Sequence, residues 1–336
     1  MTKPKAALFN EDACDGQSEM IDYVYGRKRI DQLAELTDLH PQVVSSHTLA
    51  DILDDLEVIF STWGMPALTE EQIARLSSLE AVFYAAGSVK GFARPFLEAG
   101  VTVTSAWAAN AIPVAEFALA QILLSCKGYF RNMAACRSPE RHAEGDLPQG
   151  PGIYNVTVAI IGAGQVGRKL IELLRPFRLD VLVVDPYLSE KEVEALGVER
   201  VSLEEAFRRA YVVSNHLPNL PHLEGILHGA LFEQLPLGAT FINTGRGAQV
   251  VEGELVAVLG QRPDLTALLD VTDPEPPPSD SPLYKLPNVH LSSHIAGSVN
   301  NEVGRLADYA IAAFKEWHSG QVPRYRVTLD MLRTMA

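Results

Sequence analysis

Three turns in the second half of the chain carry side chains that could grip a carboxylate and move a proton. Phe241-Ile-Asn-Thr-Gly-Arg-Gly247 places Arg246 between two glycines, Leu268-Leu-Asp-Val-Thr-Asp-Pro-Glu-Pro276 carries Asp270, Asp273 and Glu275, and Leu291-Ser-Ser-His-Ile-Ala-Gly297 carries His294. A guanidinium presents a planar fork of donors that matches a carboxylate and can polarise a carbonyl oxygen. An imidazole changes charge near neutral pH, and a carboxylate beside it would orient the ring and favour its charged form. Each turn follows an apolar run that reads as a strand. Ligands of open α/β sheets sit beyond the carboxyl ends of strands, so the three turns are expected to converge on one crevice. Asp273 competes with Glu275 as the carboxylate partner. His290 competes with His294, but it falls inside the strand run and is expected to pack in the sheet. His216, His222 and His228 have no comparable partners in sequence.

A second reactant would be held by the stretch from Val156 to Leu174. Val158-Ala-Ile-Ile161 runs into Gly162-Ala-Gly164-Gln-Val-Gly167 and then Arg168-Lys-Leu-Ile-Glu-Leu-Leu174. A lone GxGxxG is weak, because glycines serve turns everywhere. Here it follows a strand, opens a helix and meets Asp185 eighteen positions beyond the last glycine. That is the context a dinucleotide-binding unit requires. Gly162 permits the tight turn, Gly164 lets backbone approach a pyrophosphate, and Gly167 lets helix and strand pack closely, while the helix start offers free N–H groups to the diphosphate. The Asp185 carboxylate can accept from the adenosine ribose hydroxyls and would repel a 2′-phosphate, which favours NAD over NADP.

The elements around these turns form two alternations. In the first hundred residues, short apolar strands are expected at Ala6–Phe9, Val43–Ser45, Val58–Ser61, Val82–Ala85 and Val101–Ser105, with helices between them. Pro113, at a first helical turn where a missing N–H costs nothing, is expected to open a helix to about Ser125. Arg137–Gly152 reads as a surface connection. The second alternation has strands at Val156–Ile161, Asp180–Asp185, Tyr211–Asn215, Ala239–Asn243, Ala267–Val271 and Val289–Ser292, a helix over Gln165–Leu174, and a Ser202/Glu205 capping box opening a helix to Ala210. Asp273–Pro282 must be loop. A last helix, about Asn300 to His318, can pack back on the first domain. The fold class is therefore α/β, with two Rossmann-like or flavodoxin-like domains, doubly wound parallel sheets and a cleft between them. The domains are expected at 1–108 with 300–336, for the substrate, and at 109–299, for NAD.

Bulk properties narrow the function. The chain has 336 residues, which favours two domains, and a formal net charge of −14, which argues against non-specific binding to nucleic acid or anionic membrane. Its three cysteines, Cys14, Cys126 and Cys136, show no metal-ligand spacing and no disulfide framework. No metal is expected. A reduced, cytoplasmic protein without a signal peptide is expected. The apolar stretch Ala111–Cys126 is interrupted by Pro113, Glu116 and Gln121, and reads as a buried helix too short and polar to span a membrane.

The glycine-flanked Arg, the Asp five residues before a Glu, and the His-Ile-Ala-Gly turn resemble, in order and spacing, the D-2-hydroxyacid dehydrogenase family. The similarity extends to Asn110-Ala-Ile-Pro-Val-Ala-Glu116, the glycine turn and Asn215-His-Leu-Pro218, so it spans roughly residues 85 to 297. The first eighty residues match only in their α/β rhythm. The resemblance implies an NAD-dependent oxidoreductase acting on a CH–OH group, with Arg246, Glu275 and His294 catalytic. The five-residue step selects Glu275 over Asp273. It implies cofactor contacts from Gly162, Gly164, Gln165, Val166, Gly167, Asp185, His216, Leu217, Pro218, Thr244, Gly245, Asp270, Ala296 and Gly297, with Asp270 at the nicotinamide end. His216 either lines the adenosine site or lies on the surface.

At the substrate end, the resemblance implies that Gly87, Ser88 and Val89 offer backbone N–H groups to a carboxylate, together with Arg246. Lys90 either adds a cation for a second anionic group or points to solvent; a related lysine-bearing turn occurs in phosphite dehydrogenase. Trp107 either walls the pocket or is buried at the domain junction. The expected substrate is a small anionic 2-oxo or 2-hydroxy acid, as for glyoxylate/hydroxypyruvate reductases or phosphoglycerate dehydrogenases. Glu275 speaks against the formate dehydrogenase branch, which carries a glutamine there. From the short tail after the last helix, no appended regulatory domain of the kind found in many phosphoglycerate dehydrogenases is expected. Relatives form homodimers around the helix matching Pro113–Ser125, and the two domains of this chain are expected to close about crossings near Ala109 and near Asn300. The competing reading is a non-catalytic NAD(H)-sensing protein like the corepressors of this family.

Overall fold

A computed structural model describes residues 3–49, 55–143 and 147–333. The chain divides into two compact units, residues 1–110 with 298–336, and residues 111–297.

The first unit is built on strands β1 (Lys5–Phe9), β2 (Asp38–Leu39), β3 (Val58–Ser61), β4 (Ala81–Tyr84) and β5 (Thr102–Ser105), all parallel in the order β2-β1-β3-β4-β5. This is the flavodoxin-like order. Helices α1 (Glu19–Leu36), α2 (Glu70–Arg75) and α3 (Ala93–Glu98) connect the strands. Side chains alternate along each strand, so Ala6, Leu8, Val58, Phe60, Ala81 and Phe83 enter one core while Ala7, Phe9, Ile59, Val82 and Val103 enter the other. The last helix of the chain returns to the first of these cores through Leu306, Ala310 and Phe314.

The expected strand at Val43–Ser45 is not one. The edge strand β2 lies earlier, and Val44 touches β1 again only through an isolated bridge to Phe9. Pro41 lies between the two contacts, and a residue without an N–H interrupts a ladder.

Helix α4 (Trp107–Cys126) runs from the first unit into the second and contains Pro113 in its interior rather than at its first turn. An interior proline costs about 3 kcal/mol. Burial of Ala109, Ala111, Ala115, Ala118 and Ile122 along the same helix opposes that cost. At 20 residues it is long and apolar enough, by length and composition, to cross a membrane, which corrects the shorter estimate from sequence. Half of its most apolar stretch is buried within the protein.

The second unit continues with α5 (Tyr129–Ala135), α6 (Pro139–Ala143), β6 (Tyr154–Ile161), α7 (Gln165–Leu174), β7 (Arg178–Val184), α8 (Glu190–Leu196), β8 (Glu199–Arg200), α9 (Leu203–Arg209), β9 (Val212–Asn215), α10 (Gly229–Phe232), β10 (Thr240–Asn243), α11 (Glu252–Gln261), β11 (Thr266–Leu269) and β12 (Val289–Leu291). Its seven parallel strands follow the order β12-β11-β10-β9-β6-β7-β8, the doubly wound dinucleotide-binding order with one further strand at the β12 edge. Winding reverses between β6 and β9. Ala159, Ile161, Val213 and Phe241 pack on one face against α9 to α11, while Val158, Ile160, Val212 and Ile242 pack on the other against α4 and α7. The chain closes with α12 (Val303–His318), preceded by a 3-10 turn at Asn300–Glu302.

The connection from Arg137 to Gly152 has no buried residue among those described and includes the short α6, with residues 144–146 outside the described ones. One local expectation is corrected. The Ser202 box is only half formed: Ser202 Oγ accepts from the Glu205 N–H, but Glu205 Oε1 turns to Arg209 Nη1 at 2.9 Å. A charged partner one turn away outcompetes the capping N–H.

Candidate active site

The glycine turn fits a dinucleotide phosphate. Gly162 follows β6 at φ +89°, a conformation that favours glycine. A side chain on Gly167 would overlap the Gly162 carbonyl, so the first turn of α7 packs directly on the strand end. Gly164 is different: the space where its Cβ would stand holds no protein atom within 4 Å. The glycine thus leaves open room at the start of a ten-residue helix whose N-terminus has no side-chain cap. Uncapped N–H groups at the positive end of a helix, facing open space, suit a diphosphate. Gln165 and Val166 begin this helix.

Asp185 follows the end of β7. Its Oδ2 accepts from the Ala163 N–H at 2.8 Å and its Oδ1 from the Tyr187 N–H at 2.9 Å. The carboxylate is thereby fixed beside the glycine turn, is only half-buried, and retains lone pairs for ribose hydroxyls. Arg168 supports the same turn, donating from Nε to the Ala163 carbonyl at 2.9 Å and pairing with Glu192 at 2.7 Å.

Across the switch point, the loop after β9 carries His216, Leu217 and Pro218, all half-buried. The His216 ring lies between two hydroxyls, Ser214 Oγ at 2.9 Å from Nε2 and Thr244 Oγ1 at 2.9 Å from Nδ1. Burial pushes its pKa down to about 3, so the ring is neutral at physiological pH. It is half-buried with both ring nitrogens engaged, and it ties Thr244 to the loop after β9.

Arg246 follows β10. Its Nη1 donates to the Gly245 carbonyl at 2.6 Å. Burial lowers its pKa, while the negative charge of Glu275 opposes that shift and places the guanidinium and this carboxylate within electrostatic reach. His294 and Glu275 meet directly, with Nδ1 to Oε1 at 2.7 Å and both side chains about half exposed. That distance is in the range of a charge-assisted hydrogen bond. With Nδ1 engaged, Nε2 is the ring nitrogen left for a reactant. His290 lies inside β12, half-buried, its ring 5.2 Å from that of Phe130, with its pKa lowered by burial.

His294 stands at φ +58°, which costs a non-glycine residue roughly 1 kcal/mol or more. The buried Asp270 holds that turn. Its Oδ1 accepts from Ser292 Oγ at 2.6 Å and the Ile295 N–H at 2.9 Å, its Oδ2 accepts from the Ala296 N–H at 2.9 Å, and its own carbonyl accepts from the His294 N–H. Ala296 is buried and Gly297 half-buried at the end of the second unit. Thus β10, β11 and β12 bring Arg246, Glu275, His294 and Asp270 together beyond their carboxyl ends.

Gly87, Ser88, Val89 and Lys90 belong to the first unit, just beyond the carboxyl end of β4. Ser105 Oγ donates to the carbonyls of Ala86 and Gly87 at 2.9 and 2.6 Å, which fixes the start of this turn. The N–H groups of Gly87, Ser88 and Val89 find no acceptor among the described residues. Lys90 is exposed, and Trp107 is partly buried against that unit's core with its ring centroid 5.9 Å from that of Tyr325.

Sequence reasoning missed the carboxamides of Asn215, Asn243 and Gln249, which are buried at 0, 1 and 2% exposure under the loops. The first two end apolar strand runs, a signal in retrospect. Gln249 gave none. No group of three potential metal ligands occurs among the described residues.

The family model for the NAD binding domain of D-isomer specific 2-hydroxyacid dehydrogenases matches residues 119–296. The chain is 31% identical to a D-3-phosphoglycerate dehydrogenase of Archaeoglobus fulgidus over 200 residues, 59% of this chain and 37% of that one. It is 28% identical to the chloroplastic/mitochondrial formate dehydrogenase of Arabidopsis thaliana over 254 residues, 73% of this chain and 65% of that one. The chain spans under half the length of the phosphoglycerate dehydrogenases it matches. A phosphoglycerate oxidoreductase from Rhizobium etli shares the fold at TM-score 0.79 and 22% identity, covering 98% of this chain and 100% of that one. With the NAD binding domain matched over more than half its residues, this chain belongs to the D-isomer specific 2-hydroxyacid dehydrogenase family.

Proposed function

We propose that this chain interconverts a small 2-oxo acid and the corresponding D-2-hydroxy acid with NAD(H). The observation that carries the reading is the His294–Glu275 pair at 2.7 Å, on a loop neighbouring the charged Arg246. Bound NADH supplies the hydride. Arg246 grips the carboxylate and polarises the carbonyl through its fork of donors. His294, held through Nδ1 by Glu275, gives a proton from Nε2 to the carbonyl oxygen, and takes it back in the oxidative direction. The amides of Gly87, Ser88 and Val89 are further donors suited to a carboxylate. Asp185 favours NAD over NADP by its charge.

The test is oxidation of NADH with glyoxylate, hydroxypyruvate, pyruvate and phenylpyruvate, alongside NAD reduction with phosphite. Turnover of at least one 2-oxo acid is expected. NADH binding without turnover of any of these compounds would favour an NAD(H)-sensing protein, and turnover of phosphite alone a phosphite dehydrogenase. Two further readings accompany the activity. Exposed Leu124, Tyr129 and Met133 along α4 and α5 support a homodimer through that face, testable by light scattering. Three free cysteines support a reducing, cytoplasmic setting, which fractionation would check.

A further inference from the structure

We propose that Asn215, Asn243 and Gln249 are positioning residues that lock the cofactor loop after β9 and the Arg246 turn into one unit. The proposal rests on the functional reading above for the roles of those two loops.

The three side chains form a closed network beneath both loops. Asn215 Nδ2 donates to Asn243 Oδ1 at 2.9 Å and to Gln249 Oε1 at 2.7 Å. Gln249 Nε2 donates to the carbonyls of Leu217 and Pro218 at 3.0 and 2.8 Å, while its Oε1 also accepts from the Arg246 N–H at 3.1 Å. Asn243 Oδ1 also accepts from the Gly245 N–H at 3.0 Å, and Asn243 Nδ2 donates to the Arg246 carbonyl at 3.2 Å. Asn215 Oδ1 takes the Leu217 N–H at 3.3 Å.

The directions in this network are fixed by chemistry. Both N–H bonds of Asn215 and both of Gln249 are used, so neither amide can turn over without facing donor to donor or acceptor to acceptor. Gly245 follows from the same arrangement: a Cβ there would stand 2.7 Å from Asn215 Nδ2 and 2.8 Å from Gln249 Oε1. One side chain, Gln249, therefore holds the backbone N–H of Arg246 with its oxygen and the carbonyls of Leu217 and Pro218 with its nitrogen. An apolar core at these positions would bury as well, but it would not specify the separation of the two loops. Buried, fully satisfied polar networks act by specifying one arrangement.

Gln249→Met keeps length and burial while removing the amide. Gln249→Glu keeps an acceptor for Arg246 and loses the donors to Leu217 and Pro218. NADH dissociation constants by fluorescence, and KM and kcat for the 2-oxo acid turned over best, would be measured on the full chain at 25 °C, with melting temperature from a thermal scan. We expect Gln249→Met to raise both the acid KM and the NADH dissociation constant, by about tenfold and about threefold respectively, for displacements of a fraction of an ångström to about one. Gln249→Glu should weaken NADH at least as much as Gln249→Met does while raising the acid KM less. A lowered melting temperature with KM and NADH affinity unchanged in both folded variants would overturn the proposal, since a merely structural network acts on stability alone. If one variant fails to fold, the other decides. Should the wild type bind NADH and reduce no acid, the functional reading fails, and the NADH measurement still decides the positioning role.

Discussion

Gly247 and Thr272 meet backbone to backbone. A side chain on Gly247 would overlap the Thr272 carbonyl, so the turn that follows Arg246 and the loop that leads to Glu275 are as close as two main chains can be. The glycine is needed for this approach and not for its φ, which is not in the left-handed region. Gly247→Ala should push the loops apart, and a displacement of about 1 Å at a reacting group can cost about a hundredfold in rate. Steady-state NADH oxidation and a melting curve check it, with wild-type kcat/KM as the contrary result.

Glu275→Gln tests the charge on the histidine's partner. The amide can still accept from Nδ1 but supplies no negative charge, so the imidazolium that gives up the proton loses its counter-charge. We expect kcat to fall about tenfold or more, bounded above by the 10²–10⁴-fold that positioned proton transfer contributes, with NADH affinity unchanged. Parallel loss of NADH binding would show that Glu275 shapes the cofactor site instead.

Asp270 separates two roles. Its carboxylate oxygens are taken up by Ser292, Ile295 and Ala296, which hold His294 at positive φ, whereas the family resemblance points it at the nicotinamide end. Asp270→Asn must present its amide nitrogen to one of these donors, leaving a buried conflict worth about 1–3 kcal/mol. If positioning dominates, the melting temperature and kcat fall while the NADH dissociation constant stays within about threefold of wild type. A large loss of NADH affinity with kcat preserved would assign it to the cofactor.

The legible parts were those whose signal is local. Strand β3 and helix α7 were read with the bounds they have, because an apolar run closed by turn residues and a glycine turn before an amphipathic stretch need no tertiary information. Arg246, Glu275 and His294 stood out because each follows a strand. Local rules failed where packing overrode them. Helix α4 begins at Trp107, ahead of Pro113, because burial outweighs the missing hydrogen bond, and β2 lies ahead of an interrupting proline. The buried carboxamides were invisible for another reason. Asn215 meets Asn243 and Gln249 from 28 and 34 residues away, and a polar residue near a turn looks the same whether it faces water or a buried partner.

His216 gives stability a pH dependence of known sign. Its pKa is about 3 in the folded protein, below the ordinary value of 6.5, because burial disfavours the charged ring. Above pH 6.5 neither state carries the proton and nothing is lost. As pH falls from 6.5 toward 3, the unfolded chain binds a proton that folded His216 refuses, so stability declines through that window. His216→Gln, which cannot titrate, should start less stable at pH 7 through weaker contacts with Ser214 and Thr244. It should then lose melting temperature less steeply than wild type between pH 6.5 and 4. Parallel slopes would mean that the ring protonates in place.

Asp185→Ala probes the choice between NADH and NADPH. In the wild type the carboxylate is pinned by Ala163 and Tyr187 N–H groups at the end of β7, so it cannot swing away from an incoming 2′-phosphate. A phosphate there would meet a fixed like charge, while ribose hydroxyls would find an acceptor. Removing the carboxylate abolishes both effects, and it also releases the Ala163 N–H beside the glycine turn. Affinity for NADH should therefore fall as the penalty against NADPH is lifted, and the ratio of kcat/KM for the two cofactors should shift toward NADPH by about tenfold or more, the equivalent of one charge-assisted hydrogen bond and its repulsive counterpart. Measuring both cofactors at two ionic strengths separates the terms, because the repulsion is screened by salt and the hydrogen bond is not. An unchanged ratio at low salt would remove Asp185 from cofactor selection and leave it as a support for the turn.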